Sequence, residues 1–321
     1  MGTLLEVRNL KKYFDVPKGH LHAVDNVSFK INEGETLGIV GESGCGKSTL
    51  GRVILRLHEA TAGSVLFDGM NVTRMDKQEL RSIRKYMQII FQDPYASLNP
   101  RFTVAQIIEE PLRLHKIYPS EKQIRARVEE LMDMVGLSTR MYNAYPHEFD
   151  GGRRQRIVVA RALAINPRFI VCDEPVSALD VSIQAQILNL MIDLQKELNL
   201  TYIFISHNLS VVKHISTNVG VMYLGQLIEM APKRAIYKNP LHPYTVALLS
   251  AIPSLDPDAK REQHILKGEL TSPVNPKPGC RFSARCSFAQ ERCFSINPAL
   301  EEVEPNHFVA CHRVSEFTGA E

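Results

Sequence analysis

Short apolar runs separated by glycine-bearing turns characterise the N-terminal part of the chain. Residues 4–7 and 27–31 alternate or run apolar, and the apolar run 36–40 follows a Glu-Gly-Glu turn. Runs of this length predict strands, of which the last is buried. A glycine-rich turn then leads into a helical stretch at 48–57, and residues 63–69 return to strand and turn. This order of strand, loop, helix and strand predicts an α/β layer fold.

Helical patterning replaces the strands between about residues 93 and 165. Ser120 and Gln123 have the spacing of a capping box, after which apolar positions recur on one helix face, at Ile124, Val128, Leu131 and Val135. Buried strands at 169–172 and 202–205 then flank a helix with an apolar stripe. We therefore expect an α/β core interrupted by a helical subdomain at about 93–165.

Prolines become frequent from residue 232 onward, where the strand and helix periodicity ends. A chain of 321 residues has room for about two compact units. We expect one domain over residues 1–231, including the helical subdomain, and a small Cys-rich appendage over 232–321.

The overall charge narrows the classes of partner. The 38 Lys and Arg residues exceed the 35 Asp and Glu residues by only 3, and a net charge this small predicts no nucleic-acid surface.

Targeting and membrane segments are not predicted. The sequence contains no apolar run of about 18 residues, the length of a membrane span. The N-terminal segment has a charged strand pattern rather than that of a signal segment. Two of the six cysteines lie singly and four cluster near the C-terminus, a usage that favours a reducing compartment.

Residues 41–49, Gly-Glu-Ser-Gly-Cys-Gly-Lys-Ser-Thr, match G-x-x-x-x-G-K-[ST] between a predicted strand and a predicted helix. The glycines let backbone N–H groups curl round a phosphate, Lys47 can reach the outer phosphates, and the Ser48 hydroxyl can bind Mg²⁺. An ordinary glycine-rich turn is the alternative, and Cys45 is expected to be a small filler. We call this segment the phosphate loop and expect it to bind ATP through Gly41, Ser43, Gly44, Cys45, Gly46, Lys47, Ser48 and Thr49.

An acidic pair, Asp173 and Glu174, ends the apolar run 169–172. An aspartate at the end of a buried strand can hold Mg²⁺, and the glutamate is the candidate base for an attacking water. A solvated pair or a helix cap is the alternative. Together with the phosphate loop, the pair predicts ATP hydrolysis.

Several ordered motifs accompany the phosphate loop and the acidic pair. Gln92, the segment 149–156, Ser177-Ala-Leu-Asp180 and His207 follow in an order, and at separations, that resemble those of the nucleotide-binding subunits of ABC transporters. Residues 4 to about 230 resemble that family. The resemblance implies a P-loop NTPase fold of the ABC type, with a mixed sheet core and a helical subdomain.

The resemblance also implies roles for single residues. Gln92 would touch Mg²⁺ and relay to the membrane partner, Asp180 would be the D-loop residue, and His207 would contact the γ-phosphate. Tyr13 or Phe14 would stack on adenine, and the choice between them stays open. Each residue also has an ordinary interpretation. Gln92 can be a surface polar group, Asp180 a helix N-cap and His207 a hydrogen-bonded histidine at a strand end. Tyr13 and Phe14 can simply pack within their strand.

One motif departs from the family pattern. Where the family has Leu-Ser-Gly-Gly-Gln or close to it, this chain has Phe149, Asp150, Gly151, Gly152 and Arg153. Asp150 can still cap the following helix. An ionised carboxylate about 4 Å from a phosphate charge nevertheless costs around 4 kcal/mol at an effective dielectric of about 20, which Arg153 can partly offset. We therefore expect two unequal ATP sites in a dimer, the weaker one holding the partner's ATP.

The C-terminal appendage resembles that of oligopeptide and dipeptide importer ATPases, on residues 237–253 and 268–273. Beyond them, Cys280, Cys286, Cys293 and Cys311 are spaced C-x5-C-x6-C-x17-C. Four thiolates suit a structural zinc ion or an iron–sulfur cluster, and a disulfide pair is the further alternative. The resemblance implies a 4Fe-4S cluster. We expect loss of one cysteine to unfold the tail and to leave ATP binding largely intact.

Together with these resemblances, the motifs imply the ATP-hydrolysing subunit of a dipeptide or oligopeptide importer, peripheral on the cytoplasmic face of the membrane. The implied partners are a second ABC ATPase subunit, two transmembrane permease subunits and, indirectly, an extracytoplasmic peptide-binding protein, but no nucleic acid. A heterodimer is expected, although the isolated chain can form a homodimer. A soluble non-transport ATPase of the same superfamily and a nucleotide-binding subunit with little turnover remain as alternatives.

Overall fold

The computed structural model describes residues 2–251 and 272–314, which fall into two compact units. The first unit takes in the chain up to Thr73 and again from Ile205, and the second is Arg74–Phe204. Most of the linker at 268–273 lies outside the described residues. None of the described helices has the length and apolar character needed to cross a membrane.

Twelve strands are formed by the described residues. In chain order they are β1 (Thr3–Val16), β2 (Gly19–Asn32), β3 (Thr36–Val40), β4 (Ala62–Phe67), β5 (Met70–Asn71), β6 (Met87–Ile90), β7 (Phe169–Asp173), β8 (Thr201–Ile205), β9 (Asn218–Tyr223), β10 (Gln226–Pro232), β11 (Glu301–Glu304) and β12 (His307–Val309).

Eleven α-helices are formed by the same residues. They are α1 (Lys47–Ile54), α2 (Lys77–Ile83), α3 (Pro94–Ser97), α4 (Val104–Leu114), α5 (Glu121–Met134), α6 (Gly151–Leu163), α7 (Val181–Leu198), α8 (Leu209–Ile215), α9 (Lys233–Lys238), α10 (Pro243–Ser250) and α11 (Glu291–Ser295).

A long antiparallel hairpin, β1 and β2, opens the first unit and belongs to a sheet with the order β2-β1-β4-β5. Its strands are longer than the short strands that the sequence predicts. Irregularities in register, for example between Val7 and Leu10, interrupt the pairing. Because each irregularity shifts the inward-facing set of side chains, the apolar alternation is lost although the strand continues.

A mixed sheet completes the first unit, with strands in the order β11-β12-β10-β9-β3. β3 and β9 are parallel, whereas β9, β10, β12 and β11 pair antiparallel in turn. All five residues of β3 are buried, as the apolar run predicts. The C-terminal edge of this sheet comes from the described part of the Cys-rich appendage.

The second unit combines the strands β8-β7-β6, of which β6 and β7 are parallel, with the helices α2 to α7. Between Ile90 and Phe169 the chain forms helices and turns only, in the stretch where the sequence predicts a helical subdomain. α4 packs against α5 and α6, and α6 packs against α7. The apolar face of α5 is buried as predicted.

The cap of α5 differs in detail from the predicted capping box. The Ser120 hydroxyl oxygen accepts from the Gln123 backbone N–H at 3.4 Å, so Ser120 is the N-cap. The Gln123 side chain, however, accepts from the Ser120 hydroxyl at 2.9 Å rather than from its backbone N–H. The reciprocal half of the box is therefore absent, because the hydroxyl competes for the same acceptor.

Candidate nucleotide site

The phosphate loop links β3 to α1 through glycines that adopt left-handed backbone conformations. Gly41, Gly44 and Gly46 have φ values of 150°, 78° and 104°. A Cβ atom at Gly46 would lie 1.9 Å from the Ala23 carbonyl oxygen, and one at Gly41 would lie 2.2 Å from that of Met222. Only glycine fits at these two positions, because both the conformation and the space exclude a side chain.

Lys47, the first residue of α1, is only 5% exposed and closes over the loop. Its Nζ atom donates to the carbonyl oxygens of Gly41 at 2.8 Å and Glu42 at 2.9 Å. The cation therefore lies within the loop that the motif assigns to phosphates. Ser43 and Gly44 are exposed at its tip, and Ser48 and Thr49 are half-buried in the first helical turn.

Cys45 is buried inside the phosphate loop, with its sulfur 3.7 Å from Lys47 Nζ. Burial raises the pKa of the Cys45 thiol, although the nearby Lys47 charge lowers it in part. A protonated, buried thiol is a poor nucleophile. The geometry thus agrees with the expectation of a small filler.

Tyr13 and Phe14 lie in different surroundings on β1. The Tyr13 hydroxyl donates to Asp25 Oδ1 at 2.5 Å, and its ring stacks on His22 with 3.8 Å between centroids. Burial and the hydrogen bond to Asp25 raise the pKa of Tyr13 above its usual value. The Phe14 ring meets His58 edge-on and lies under Lys12 Nζ. Tyr13 is therefore held by protein contacts at both its ring face and its hydroxyl, whereas the long, half-buried Lys12 side chain lies over the Phe14 ring.

His207 belongs to the same unit as the phosphate loop and is exposed two residues after β8. The preceding residue, Ser206, donates its backbone N–H to the Ile39 carbonyl oxygen at 3.2 Å. Ile39 lies in β3, two residues before Gly41. The backbone before His207 is thus anchored to the strand that leads into the phosphate loop.

In the second unit, Gln92 and the acidic pair lie together. Asp173 is buried at the end of β7. Glu174 follows with φ of 49°, a left-handed conformation that is uncommon for a residue with a side chain. Gln92 Nε2 donates to Glu174 Oε2 at 3.2 Å. Strained backbone of this kind is concentrated at functional sites, so its position supports the predicted role of Glu174.

Residues 149–153, the motif that departs from the family pattern, lie at the start of α6. The Asp150 carboxylate caps this helix by accepting from the Arg153 backbone N–H at 2.8 Å, as predicted, and its other oxygen is 3.6 Å from Arg153 Nε. Phe149 is buried. A Cβ atom at Gly152 would lie 2.6 Å from Ile183 Cγ2 of α7, and one at Gly151 would lie 3.0 Å from a Leu179 methyl carbon. The two glycines therefore let α6 approach the chain on both sides of Asp180.

Asp180 caps α7, so its alternative interpretation as an N-cap holds. Its Oδ1 atom accepts from the Ile183 backbone N–H at 3.0 Å and from the Ser182 hydroxyl at 2.9 Å. These hydrogen bonds lower the pKa of the Asp180 carboxyl. A capping role does not exclude the D-loop role, because the carboxylate remains exposed.

The four C-terminal cysteines line one small apolar cavity, together with Phe282, Phe288 and His242. All are free thiols, so the disulfide alternative is not seen. Burial raises the pKa of Cys280 to about 11 and also raises the pKa of Cys286 and Cys311. Within the ranges that the structure describes, no three His, Cys, Asp or Glu side chains converge so as to hold a single metal ion.

The structure also reveals contacts that the sequence does not signal. Arg285, next to Cys286, forms an ion pair with Glu42 of the phosphate loop, and the Glu42 backbone N–H donates to the Tyr244 hydroxyl at 3.0 Å. The partners are separated by more than two hundred residues, and no local pattern links them. These contacts lie within the first unit.

Comparison with known proteins identifies the family. The ABC transporter family model matches residues 24–177, and the model of the oligopeptide/dipeptide transporter C-terminal region matches residues 228–293. The putative oligopeptide transport ATP-binding protein YkfD of Bacillus subtilis is 55% identical over 96% of this chain and 95% of its own length. The chain belongs to the ABC transporter family. AppF, an oligopeptide transport ATP-binding protein of the same organism, is 54% identical to this ABC ATPase over 98% of both chains.

Solved structures support the ABC fold. A dimeric ATP-binding cassette, MJ0796, in a post-hydrolysis state bound to ADP and Pi, is 31% identical, with a TM-score of 0.65 over 72% of this chain and 99% of the cassette. CbiO1 from Clostridium perfringens, part of an ABC transporter complex, is 26% identical, with a TM-score of 0.67 over 74% of this chain and 92% of its own. The predicted fold class, a P-loop NTPase of the ABC type with a mixed sheet, is confirmed, and the chain is an ABC ATPase.

Proposed function

We propose that this ABC ATPase hydrolyses ATP to drive import of dipeptides or oligopeptides. The observation that carries the proposal is the presence on one chain of an ABC cassette and the C-terminal region of oligopeptide/dipeptide transporters. Full-length relatives named as oligopeptide transport ATP-binding proteins support the same substrate class. No observation favours a soluble ATPase acting on DNA or ribosomes.

Phosphate binding is the proposed role of the phosphate loop. Its left-handed glycines free backbone N–H groups for the phosphates, and Lys47 supplies the cation. When ATP binds, the Lys47 ammonium exchanges its contacts to the Gly41 and Glu42 carbonyls for phosphate oxygens, which are stronger acceptors because they are charged.

Residues with oxygen side chains suit a bound Mg²⁺ ion. Ser48 lies in the first turn of α1, the buried Asp173 ends β7, and the Gln92 amide donates to Glu174. These are hard oxygen ligands of the type that Mg²⁺ prefers. When bound, the ion neutralises charge that develops on the transferred phosphoryl group.

Glu174 is the proposed base for the attacking water, and Gln92 is its positioning partner. The Gln92 amide donates to one Glu174 carboxylate oxygen and so orients the carboxylate that would accept a proton from water. His207 is proposed to donate to the γ-phosphate and to stabilise its developing negative charge. Asp180 is proposed to act at the dimer interface through its exposed carboxylate.

Phe14, rather than Tyr13, is the proposed adenine platform. The Tyr13 ring face is covered by His22, and its hydroxyl is held by Asp25. To stack on Phe14, adenine would displace the Lys12 side chain, whose Nζ lies 4.7 Å from the ring centroid. Displacement of a single long side chain costs less than breaking a stacked and hydrogen-bonded cluster.

Unequal ATP sites are proposed for the dimer. Phe149, Asp150, Gly151, Gly152 and Arg153 would face the ATP held by the partner subunit. There the Asp150 carboxylate replaces a hydroxyl donor, and Arg153 at 3.6 Å offsets part of its charge. The partner's ATP would therefore be hydrolysed more slowly than the ATP held by Lys47 of this chain.

A 4Fe-4S cluster is proposed for Cys280, Cys286, Cys293 and Cys311, with zinc as the second choice. All four thiols line one small cavity, which places the four candidate ligands together. Structural zinc sites usually carry C-x2-C pairs, and the C-x5-C-x6-C-x17-C spacing has none, so the cluster is the first choice. About four irons per chain in anaerobically purified protein would support the cluster; one zinc and no iron would replace it.

The proposed partners are a second ABC ATPase subunit, two permease subunits and an extracytoplasmic peptide-binding protein, with this chain peripheral on the cytoplasmic face of the membrane. The test is purification of the tagged chain from detergent-solubilised membranes, with identification of the co-purifying chains. We expect two multi-spanning chains and one further ATPase in fixed stoichiometry. Recovery of the chain with DNA-binding or ribosomal proteins, and without membrane proteins, would contradict the transport role.

A further inference from the structure

Arg285, in the Cys-rich appendage (the C-terminal segment), contacts the carboxylate of Glu42 in the phosphate loop through two guanidinium nitrogens. Arg285 Nη1 lies 2.9 Å from Glu42 Oε2, and Arg285 Nη2 lies 3.1 Å from Oε1. The side chains are 8% and 21% exposed, respectively. Paired, charge-assisted hydrogen bonds that are largely shielded from water are stronger and better oriented than a surface ion pair.

The backbone of Glu42 is held by the same part of the chain. Its N–H group donates to the hydroxyl of Tyr244, which is fully buried. The Tyr244 ring packs on Phe282, with 5.4 Å between centroids, and Phe282 lies three residues before Arg285. Glu42 is thus fixed at both its backbone and its carboxylate by residues beyond 240.

Glu42 is also in direct contact with the cation of the loop, because its carbonyl oxygen accepts from Lys47 Nζ at 2.9 Å. A triphosphate bound to this loop carries several negative charges. A Glu42 carboxylate without its partner would repel them and could compete for Lys47, since charges interact strongly where water is largely excluded. The Arg285 guanidinium neutralises this carboxylate and holds it on the side of the C-terminal segment.

We propose that Arg285 is a positioning residue of the nucleotide site, which makes the ATP affinity of the phosphate loop depend on a folded C-terminal segment. The proposal rests on the assignment of residues 41–49 to phosphate binding. It differs from the expectation that ATP binding stays largely intact when the tail unfolds, because the tail supplies the counter-charge of Glu42 in the phosphate loop.

The test is the dissociation constant for ATP, together with KM and kcat, for full-length variants purified with their partners. Arg285→Met should weaken ATP binding about tenfold, and Arg285→Lys by less, because it keeps the charge and loses the two-atom contact. KM should rise far more than kcat falls. Arg292→Met is the matched control, since Arg292 donates to the His312 carbonyl oxygen within the segment itself.

A double variant separates charge neutralisation from a loss of fold. Glu42→Gln combined with Arg285→Met removes the unpaired carboxylate, so ATP affinity should return to within about threefold of the wild type. The proposal is overturned if Arg285→Met binds ATP as the wild type does, if Arg292→Met weakens binding equally, or if the double variant does not recover. Lys47→Ala tests the underlying assignment separately: undiminished ATP affinity there would remove the phosphate-loop role itself.

Discussion

The side-chain amide of Gln92 donates a hydrogen bond to the carboxylate of Glu174, with 3.2 Å between Nε2 and Oε2. Glu174 itself has φ of 49°, and its carbonyl oxygen accepts from the Ser177 hydroxyl at 3.0 Å. The turn after β7 therefore holds the candidate base in an uncommon backbone conformation, while Gln92 orients its side chain. This arrangement leads to predictions that separate binding from chemistry.

Glu174→Gln should retain ATP binding and stall hydrolysis, whereas Lys47→Ala should lose tight binding. The amide is nearly the size of the carboxylate but cannot accept the proton of the attacking water, so turnover should fall by about 10²-fold or more. Loss of the Lys47 charge should weaken ATP binding at least about tenfold. Equilibrium ATP binding and steady-state phosphate release measure the two effects. Wild-type turnover by Glu174→Gln would remove that glutamate from the mechanism.

Phe14→Ala should weaken ATP binding about tenfold, because it removes a ring that stacks on adenine. Tyr13→Phe is the matched change, since it keeps a ring and removes only the hydroxyl bound to Asp25. We expect it to change nucleotide affinity less than Phe14→Ala does. Equilibrium titration of each variant with ATP measures the loss of affinity. A larger loss for Tyr13→Phe would assign the platform to Tyr13.

Local features of the site follow from the sequence, because each is encoded within a few residues. The glycines of the phosphate loop, the Asp150 cap and the buried face of α5 all depend on short-range spacing. The choice between Tyr13 and Phe14 does not, since it depends on His22 and Asp25 across the hairpin. The pairing of Glu42 with Arg285 is even harder to predict from the sequence, because these two charged residues become partners only when distant segments fold together.

Asp150→Ser should raise the ATPase rate of a homodimer, because it removes a carboxylate near the proposed position of the partner's γ-phosphate and restores a donor. The Asp150 side chain is 60% exposed and pairs with Arg153, so solvent and the cation screen much of its charge. The increase should therefore be modest, about threefold. In a heterodimer the effect should fall on the ATP held by the partner subunit. An unchanged or lower rate would mean that Arg153 already neutralises Asp150.

Gly152→Ala should destabilise the second unit by about 1–3 kcal/mol, because the added methyl group would overlap Ile183 Cγ2. Combining it with Ile183→Leu, which moves the branch away from Cβ, should recover part of the loss. Gly2→Ala is the control, since nothing lies within 4 Å of its added Cβ atom. Denaturant unfolding monitored by circular dichroism measures the differences. Equal stability of Gly152→Ala and the wild type would show that α7 can shift at no cost.

Peptide uptake into liposomes tests the central claim most directly. The purified complex is reconstituted with ATP inside, and labelled dipeptides to pentapeptides are supplied outside together with the peptide-binding protein. The wild-type complex should accumulate peptide in proportion to the ATP it hydrolyses, and a complex of the same composition with Glu174→Gln should accumulate peptide far more slowly, in step with its reduced hydrolysis. Accumulation by the Glu174→Gln complex at the wild-type rate, or hydrolysis by the wild type with no uptake of any peptide, would contradict the account.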